Sequence, residues 1–409
     1  MSVATPQERV PLVPAPPARA RAPSRPNGVP LASPSQGTGR GEGGLASSYR
    51  VDAVEGAAGF AAMRAEWDAL LAEGPVDQPF VRHAFVGAWL DAFAPQGRLV
   101  VLVARGPDGR AAGMAPLLAS HQGGLTFLEA PANDHSCRVE WALGADPEGA
   151  VRALWGHLRD RMSWDVLLLR DVPRGGPTSS LVAGAAARDR HPLGRWESAR
   201  SPYLTLGGDP RERRASSKFL GNLRRRMRRL EEQGAVAYRR VDGGAEEVDR
   251  FLEQFFALEA AGWKGARGTA IARDPRLVAF YRGLAQAAAR EGWLALRALD
   301  LDGRPVAMHF GLLHRGVYSF PKPAYDEALA ACSPGQLLFH EVLAECEARQ
   351  LAELDFLGPD MPWKQDWAPE LRPHDWLYVY RPGLKGAALH ALRHRLRPFA
   401  KEVLSWWRR

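Results

Sequence analysis

Residues 303–358, GRPVAMHFGLLHRGVYSFPKPAYDEALAACSPGQLLFHEVLAECEARQLAELDFLG, narrow the possible folds more than any other part of this chain. Val306, Met308, Phe310 and Leu312 alternate at the period of two that one face of a strand requires. His314-Arg315-Gly316 marks a turn, and residues 317–320 are β-branched and aromatic enough to pair back. Ser333 precedes Pro334, the arrangement of an N-cap followed by proline at the first helical position. Leu338, Val342 and Cys346 then recur at helical spacing and define a buried stripe. Residues 352–357 return as a short apolar strand ending at Gly358. Hairpin, helix and strand in that order make an α/β (α+β mixed sheet) unit.

The entry to that helix carries the first chemical signal. The amides of Gly335, Gln336 and Leu337 lie in its first turn, without intrahelical acceptors and at the positive end of the macrodipole. Gly335 has no side chain to hold a phosphate away. The stretch reads either as a well-formed helix start or as a cradle for a ligand's phosphate.

Several short motifs surround it: Lys218-Phe219, Asn222-Leu223-Arg224-Arg225, Leu230-Glu231 and Gly234, then Phe255-Phe256-Ala257-Leu258 with Trp263. Further on come Gly303-Arg304-Pro305-Val306-Ala307, Tyr318, Ser333 to Leu338, Asp355-Phe356-Leu357-Gly358 and Trp363-Lys364. Their order and spacing resemble the acyltransferase half of the CelD-like proteins of the GNAT superfamily, associated with bacterial cellulose and exopolysaccharide synthesis. The FemABX peptidyltransferases are more distant relatives. The resemblance implies an acyl-CoA-dependent N-acyltransferase, with acetyl-CoA or another acyl-CoA as co-substrate and an amine-bearing acceptor. It places Ser333, Gly335, Gln336 and Leu337 against CoA. It makes Lys364 the match of a lysine that follows the Asp-Phe-x-Gly stretch in the FemABX relatives. Trp363 departs from the tyrosine those relatives usually carry before the lysine.

At 409 residues the chain is long enough for two domains. A formal net charge of +8 and a pI near 9.7 suit anionic partners: CoA, nucleotide-sugars, RNA or a membrane surface. Cys137, Cys332 and Cys346 lack metal-ligand spacing and pair into no framework, so reduced thiols, no metal and a cytoplasmic location are expected. Residues 1–48 are rich in Pro, Gly, Ala, Ser and Arg and are expected to form a disordered leader, with no apolar core of a signal peptide. Nowhere do 18 apolar residues follow one another, so no helix is expected to span a membrane.

The unit described above occurs twice. Asp108-Gly109-Arg110 before Met114 is matched by Asp302-Gly303-Arg304 before Met308, each between two strands, and both halves continue into a helix and a final strand. Tandem GNAT-like domains are therefore expected at 49–205 and 206–383. In the first, residues 99–104 and 111–118 read as paired strands, 147–162 as a helix and 164–169 as a buried strand. Asp146-Pro147-Glu148-Gly149 stands where the second copy has Ser333 to Gln336, and Glu148 would repel a phosphate. The first copy is thus expected to be non-catalytic. Its polar loop Asn133-Asp134-His135-Ser136 either faces the acceptor or is a solvated turn. Residues 174–200 are Gly/Ala-rich with one plausible helix.

In the second copy, Phe219, Leu223, Met227 and Leu230 form one helical stripe in a segment otherwise crowded with arginine. Arg225 and its neighbours either contact an anionic substrate or form a solvated basic face. Gly262 to Gly268 is a Gly-rich loop carrying Trp263 and Lys264, read as a substrate cover or an ordinary connection; it lacks phosphate-loop spacing for nucleotide hydrolysis. Pro359 to Trp367 is a loop dense in proline and tryptophan beyond a strand end, where Trp363 and Lys364 are candidates for substrate and catalysis. The alternative for Lys364 is a salt bridge to Asp360 or Asp366. Residues 376–380 read as a last strand, and 384–409 as a basic amphipathic helix that meets an anionic membrane or packs on the second domain.

No serine-hydrolase elbow, HExxH or Cys/His cluster is present. Direct attack by an amine on a bound thioester needs none of them. It needs an oriented carbonyl, a polarising donor and a proton acceptor. Lys364 can stabilise the developing charge; Asp355, Tyr325 and His309 are the candidates for proton transfer. Two other classes compete: a Fem-like aminoacyl-tRNA-dependent transferase, and a non-enzymatic basic RNA- or membrane-binding scaffold. Nucleic acid is the less favoured partner.

Overall fold

The computed structural model describes residues 49–94, 97–207 and 215–396, and only the backbone at 263–264. The leader expected at 1–48, Arg211, Arg213 and Arg214, and the tail from 397 onward lie outside the described residues.

The first half begins with β1 (Arg50–Glu55) and helices α1 (Gly56–Ala62), α2 (Arg64–Glu73) and α3 (His83–Phe93). A meander of β2 (Arg98–Arg105), β3 (Ala111–Gln122) and β4 (Leu125–Glu129) follows, with a two-residue β5 (Ala142–Leu143). Then come α4 (Pro147–Arg161), β6 (Val166–Pro173), α5 (Pro177–Arg188) and β7 (Leu193–Thr205). The second half has α6 (Ser217–Glu231), β8 (Val236–Val241), α7 (Ala245–Ala261), the four-residue α8 (Trp263–Ala266) and α9 (Pro275–Arg290). Its meander is β9 (Leu296–Leu301), β10 (Arg304–His314) and β11 (Val317–Tyr325). After it come α10 (Pro334–Ala348), β12 (Glu353–Asp355), α11 (Pro362–Gln365), β13 (Glu370–Tyr380) and α12 (Leu384–Ala391).

All these strands share one sheet, ordered β1-β2-β3-β4-β6-β13-β7-β12-β11-β10-β9-β8, with β5 beside β3. β4 runs parallel to β6 across α4, and β11 parallel to β12 across α10. The other described pairs are antiparallel. Each half therefore has the same meander, crossover helix and parallel strand. They are joined by an exchange, since β13 pairs with β6 and β7 with β12, and the two exchanged strands pair with each other. The described residues all belong to a single compact unit.

Helices cover both faces of the sheet. On one face α1, α2 and α3 meet α7 and α9 in a shared core, where Phe85 and Phe93 lie 5.6 and 5.5 Å from Phe280 between ring centroids. On the other, α4 and α5 cover the first half and α6 and α10 the second. The β10–β11 turn has Arg315 and Gly316 both at positive φ (47° and 76°), the conformation that suits a two-residue hairpin. His314 Nε2 and Arg315 Nε reach Asp77 of the first half at 2.8 and 2.7 Å, which pins that hairpin across the molecule.

Details differ from the sequence pattern for identifiable reasons. Val306 leaves the face of Met308, Phe310 and Leu312, because a bulge between Pro305 and Ala307 shifts the alternation. The apolar positions from Phe60 to Leu71 recur at helical spacing, yet they fall on two helices that meet at Met63. β4 and β7 were not legible as strands. β7 is mostly polar along its length, and its place between β12 and β13 comes from the exchange. Cys137, Cys332 and Cys346 are all free thiols.

Candidate functional site

Two loops of the second half converge at the carboxyl ends of β11 and β12. The first runs from β11 through a tight turn (Glu327–Cys332) into α10. Ser333 occupies the N-cap position but in the left-handed conformation (φ 52°), and its side chain makes no capping bond. Its hydroxyl donates instead to Ala330 O at 3.3 Å. Its carbonyl accepts from both Gln336 and Leu337 N, at 3.0 and 3.1 Å. The sequence expectation of three free amides is thus corrected: Gly335 N alone stays without an acceptor, because Ser333 turns its carbonyl into the helix. A Cβ at Gly335 would meet nothing nearer than the Tyr325 ring at 3.5 Å. A shallow cleft lined by Leu258, Glu259, Gly262, Pro323, Tyr325 and Glu327 opens beside this helix start. Among the described residues the first turn carries no acidic side chain.

The second loop leaves β12 through Leu357 and Gly358, both at positive φ (53° and 60°), and enters α11. There Lys364 is buried, and its Nζ donates to Leu357 O at 2.6 Å and Pro359 O at 2.8 Å. An ammonium has three donors, so these two bonds leave one of them uncommitted. Neither Asp360 nor Asp366 forms a salt bridge to it; Asp360 accepts from Gln365 Nε2 at 2.5 Å. Desolvation pushes the Lys364 amine down to about 8, although Asp355, Asp360 and the Cys137 thiol each act to raise it. Gln336 ties the two loops together, donating to Trp363 O at 3.0 Å and accepting from Trp367 Nε1 at 2.6 Å. Its side chain is therefore committed to architecture.

Asp355 is fully buried between two guanidiniums. Its Oδ2 accepts from Arg138 Nη2 and from Arg372 Nη1, the latter at 3.0 Å, and its Oδ1 accepts from Leu357 N at 2.9 Å. Burial alone would push the carboxyl up, but Arg138 and Arg372 hold it below the ordinary carboxylate range. A carboxylate so fully engaged is a weak proton acceptor and a firm anchor. His309 lies in β10, buried and stacked on Phe320 at 4.5 Å, with Nδ1 unpartnered. Desolvation holds it down to about 3, so it is neutral at ordinary pH and a weak base. Tyr325 is exposed at the lip beside Gly335.

The remaining expected residues are dispersed. Arg225 lies exposed on α6 and donates to Asn222. Trp363 is half-buried against Phe356, with the Lys364 ammonium 5.8 Å from its ring centroid. The side chains of Trp263 and Lys264 lie outside what the structure describes. Arg138 and Arg372 were missed in the sequence reading. The one available signal was that Arg138 follows the polar loop 133–136, which the structure brings to the second half through His135 Nδ1 and Tyr281 OH at 2.9 Å.

Among the described residues no group of three or more His, Cys, Asp or Glu could hold a metal, and no helix is long and apolar enough to cross a membrane. The described part of the C-terminal segment packs on the sheet. His390 Nε2 bonds Leu193 O at 2.8 Å, and the Arg393 guanidinium lies 4.4 Å from the Tyr378 ring centroid.

The family model for the acetyltransferase (GNAT) domain matches residues 217–365, a span that holds both loops. The chain thus carries an N-acetyltransferase domain of the GNAT type and is an acyltransferase. No curated protein matches the chain in sequence. Its fold is similar to that of FemX, at 12% identity and a TM-score of 0.55, covering 81% of this chain and 98% of that one. It is similar too to the C-terminal DUF2156 domain of a protein described as a lysylphosphatidylglycerol synthetase from Agrobacterium fabrum (11%, TM-score 0.50, covering 81% and 95%). A tandem GNAT protein from the clavulanic acid biosynthesis pathway aligns at 15% identity and a TM-score of 0.45, covering 82% and 100%. The fold is a mixed α/β sheet in which the half preceding the matched domain repeats its meander, crossover helix and parallel strand.

Proposed function

We propose that the chain transfers an acyl group, acetyl in the simplest case, from acyl-CoA to an amine on a sugar or polysaccharide precursor by direct attack on the thioester. The observation that carries this reading is the buried Lys364 ammonium beyond the end of β12, with two of its three donors held by carbonyls. In this reading Gly335 N, at the positive end of α10, meets the pyrophosphate of CoA, and Ser333, Gln336 and Leu337 shape that turn around it. The thioester supplies the activated carbonyl. The amine nitrogen forms a bond to the carbonyl carbon, the carbon–sulfur bond breaks, and the proton the amine loses ends on the departing thiolate. Lys364 donates its third hydrogen to the carbonyl oxygen as charge develops there, an interaction stronger in the transition state than before it. Tyr325 borders the route by which the acceptor and CoA enter.

The active form of Lys364 is the protonated one. Its amine is held down to about 8, so the donor is present below that pH and is lost as pH rises through it. The sugar acceptor and a place in exopolysaccharide synthesis rest on the resemblance to CelD-like proteins. Cytoplasmic residence and contact with an anionic membrane face through the basic C-terminal segment belong to the same proposal.

A second reading has one observation behind it: Arg224, Arg225, Arg228 and Arg229 are exposed along α6, which suits the phosphates of an aminoacyl-tRNA donor. Calorimetry with acetyl-CoA separates the two, since binding that free CoA competes and tRNA does not supports the first. The decisive variant is Lys364→Met, assayed with acetyl-CoA and hydroxylamine as a small amine acceptor. Turnover should fall by about 10²-fold or more, with acetyl-CoA affinity unchanged. The melting temperature should hold or rise, because the fold disfavours the charged amine that the substitution removes. A stable, fully active Lys364→Met protein would falsify the catalytic role.

A further inference from the structure

One side chain of the first half enters the site of the second. The Arg138 side chain is 8% exposed and uses its fork in three directions. Nη2 bonds Asp355 Oδ2, Nε donates to His374 Nε2 at 3.2 Å, and Nη1 donates to Gln78 Oε1 at 3.2 Å. His374 suits that role: burial lowers it to about 4, and its Nδ1 is engaged with Arg372 O at 3.0 Å, which leaves Nε2 as an acceptor. No contact joins Arg138 to Lys364. The two are linked through Asp355, whose other oxygen accepts from Leu357 N at 2.9 Å, and through Leu357, whose carbonyl accepts from Lys364 Nζ at 2.6 Å. Leu357 sits at φ 53°, a conformation a branched side chain adopts only when its surroundings hold it there.

We propose that Arg138 is a positioning residue for the Lys364 ammonium: it locks Asp355, and through the Asp355–Leu357 hydrogen bond it fixes the backbone turn that aims the lysine. The inference rests on the reading of Lys364 given above. It assigns the first half a part in the reaction although that half has no donor of its own. Arginine is required because one planar group must satisfy a carboxylate, an imidazole and an amide at once, which a point-charge ammonium does not do.

The charged and titratable groups around this relay are few. Asp355, Asp360 and the Cys137 thiol face Lys364. Asp355 is faced by Arg138 and Arg372, and Arg372 also pairs with Glu353 at 2.8 Å. Removing the charge at 138 leaves Asp355 less compensated, so its field on Lys364 grows and the amine should titrate higher. Only six of the 54 Lys and Arg residues are lysine, so side-chain resonances of ε-labelled lysine can be followed individually in the full chain.

The test compares wild type, Arg138→Met, Arg138→Lys and Lys364→Met, using lysine titration by NMR and transfer from acetyl-CoA to hydroxylamine. In Arg138→Met the Lys364 midpoint should rise by about one unit and the alkaline limb of the kcat profile should move with it. In the same variant kcat should fall by about 10- to 100-fold with acetyl-CoA affinity unchanged. Arg138→Lys should return the midpoint toward wild type yet leave kcat reduced, since charge is restored and the fork is not. A merely structural role lowers the melting temperature and leaves the Lys364 midpoint where it was; that result overturns the proposal. Should Arg138→Met not fold, full kcat in Arg138→Lys overturns it equally. If Lys364→Met keeps full turnover, the reading of Lys364 falls and takes this inference with it. If Lys364→Met is inactive and the Arg138 variants leave kcat and midpoint unmoved, only the inference falls.

Discussion

The crossover helices α4 and α10 occupy the same place in their halves, have 15 residues each, and both begin with proline. Their first turns are chemically opposite. At α4 the chain brings its own anion: Asp146 accepts from Gly149 N at 3.0 Å and from Tyr49 OH at 2.7 Å, and Glu148 adds a second carboxylate. A Cβ at Gly149 would collide with Asp146 and Tyr49, so that turn is closed. At α10 the cap makes no side-chain bond, no acid lies in the first turn, and Gly335 N is open. The loops after the parallel strands diverge in the same sense. Leu357 carries the carbonyl that holds Lys364, whereas the positive-φ residue of the first half's parallel strand is Asp171, inside β6, and residues 49–205 contain no lysine at all. Two copies of one topology thus separate into a closed half and an open half through a few residues at helix starts and strand ends.

The largest effect should come from closing the open turn. Gly335→Glu places a carboxylate where α10 presents its free amide, and acetyl-CoA binding should fall below detection by calorimetry. The matched change in the other half, Glu148→Gly, should leave affinity untouched, because Asp146 still fills that turn. Unchanged binding in Gly335→Glu would mean that CoA does not use this helix start.

A smaller effect concerns pH. Desolvation holds the Lys364 amine down to about 8, and the proposed mechanism uses the protonated form as donor, so kcat with hydroxylamine should decline as pH rises through that value. Lys364→Met should lose this limb along with most of its turnover. A wild-type profile that keeps climbing past pH 8 in step with the uncatalysed reaction would remove the ammonium from the mechanism.

The smallest effect tests whether the closed turn is only structural. Asp146→Ala removes the cap of α4 and should cost about 1 kcal/mol in urea unfolding, with turnover and acetyl-CoA affinity unchanged. Binding stoichiometry in that variant should stay at one acetyl-CoA per chain. A second bound equivalent would show that the first half retains a latent cofactor site.

Much of this contrast was visible in the order of residues. Ser333-Pro334-Gly335 against Asp146-Pro147-Glu148 already separated the two halves, since caps and first-turn charges act over a few neighbouring residues. The hairpin turns at Asp302-Gly303 and Arg315-Gly316 were legible for the same reason: both pairs adopt positive φ, as a two-residue hairpin demands. Lys364 could be singled out as a lysine beyond a strand end. Its surroundings were misjudged, because the salt bridges offered to Asp360 and Asp366 were the nearest acids in sequence. In space the amine turns inward to two carbonyls. Likewise Asp355 read as a possible base, and two arginines from distant segments make it an anchor instead.

Local order along the chain therefore determined the repeating unit, its turns, the open and closed helix starts and the lysine beyond β12, because each depends on backbone preferences and charges within a few residues. Tertiary structure alone decided the exchange of β7 and β13, the bulge that turned Val306 to the other face, and the meeting of Arg138 with Asp355 across 217 positions. Those depend on which strand edges and buried charges find partners when the sheet closes, and a buried carboxylate must be paired by whichever cation the fold delivers to it.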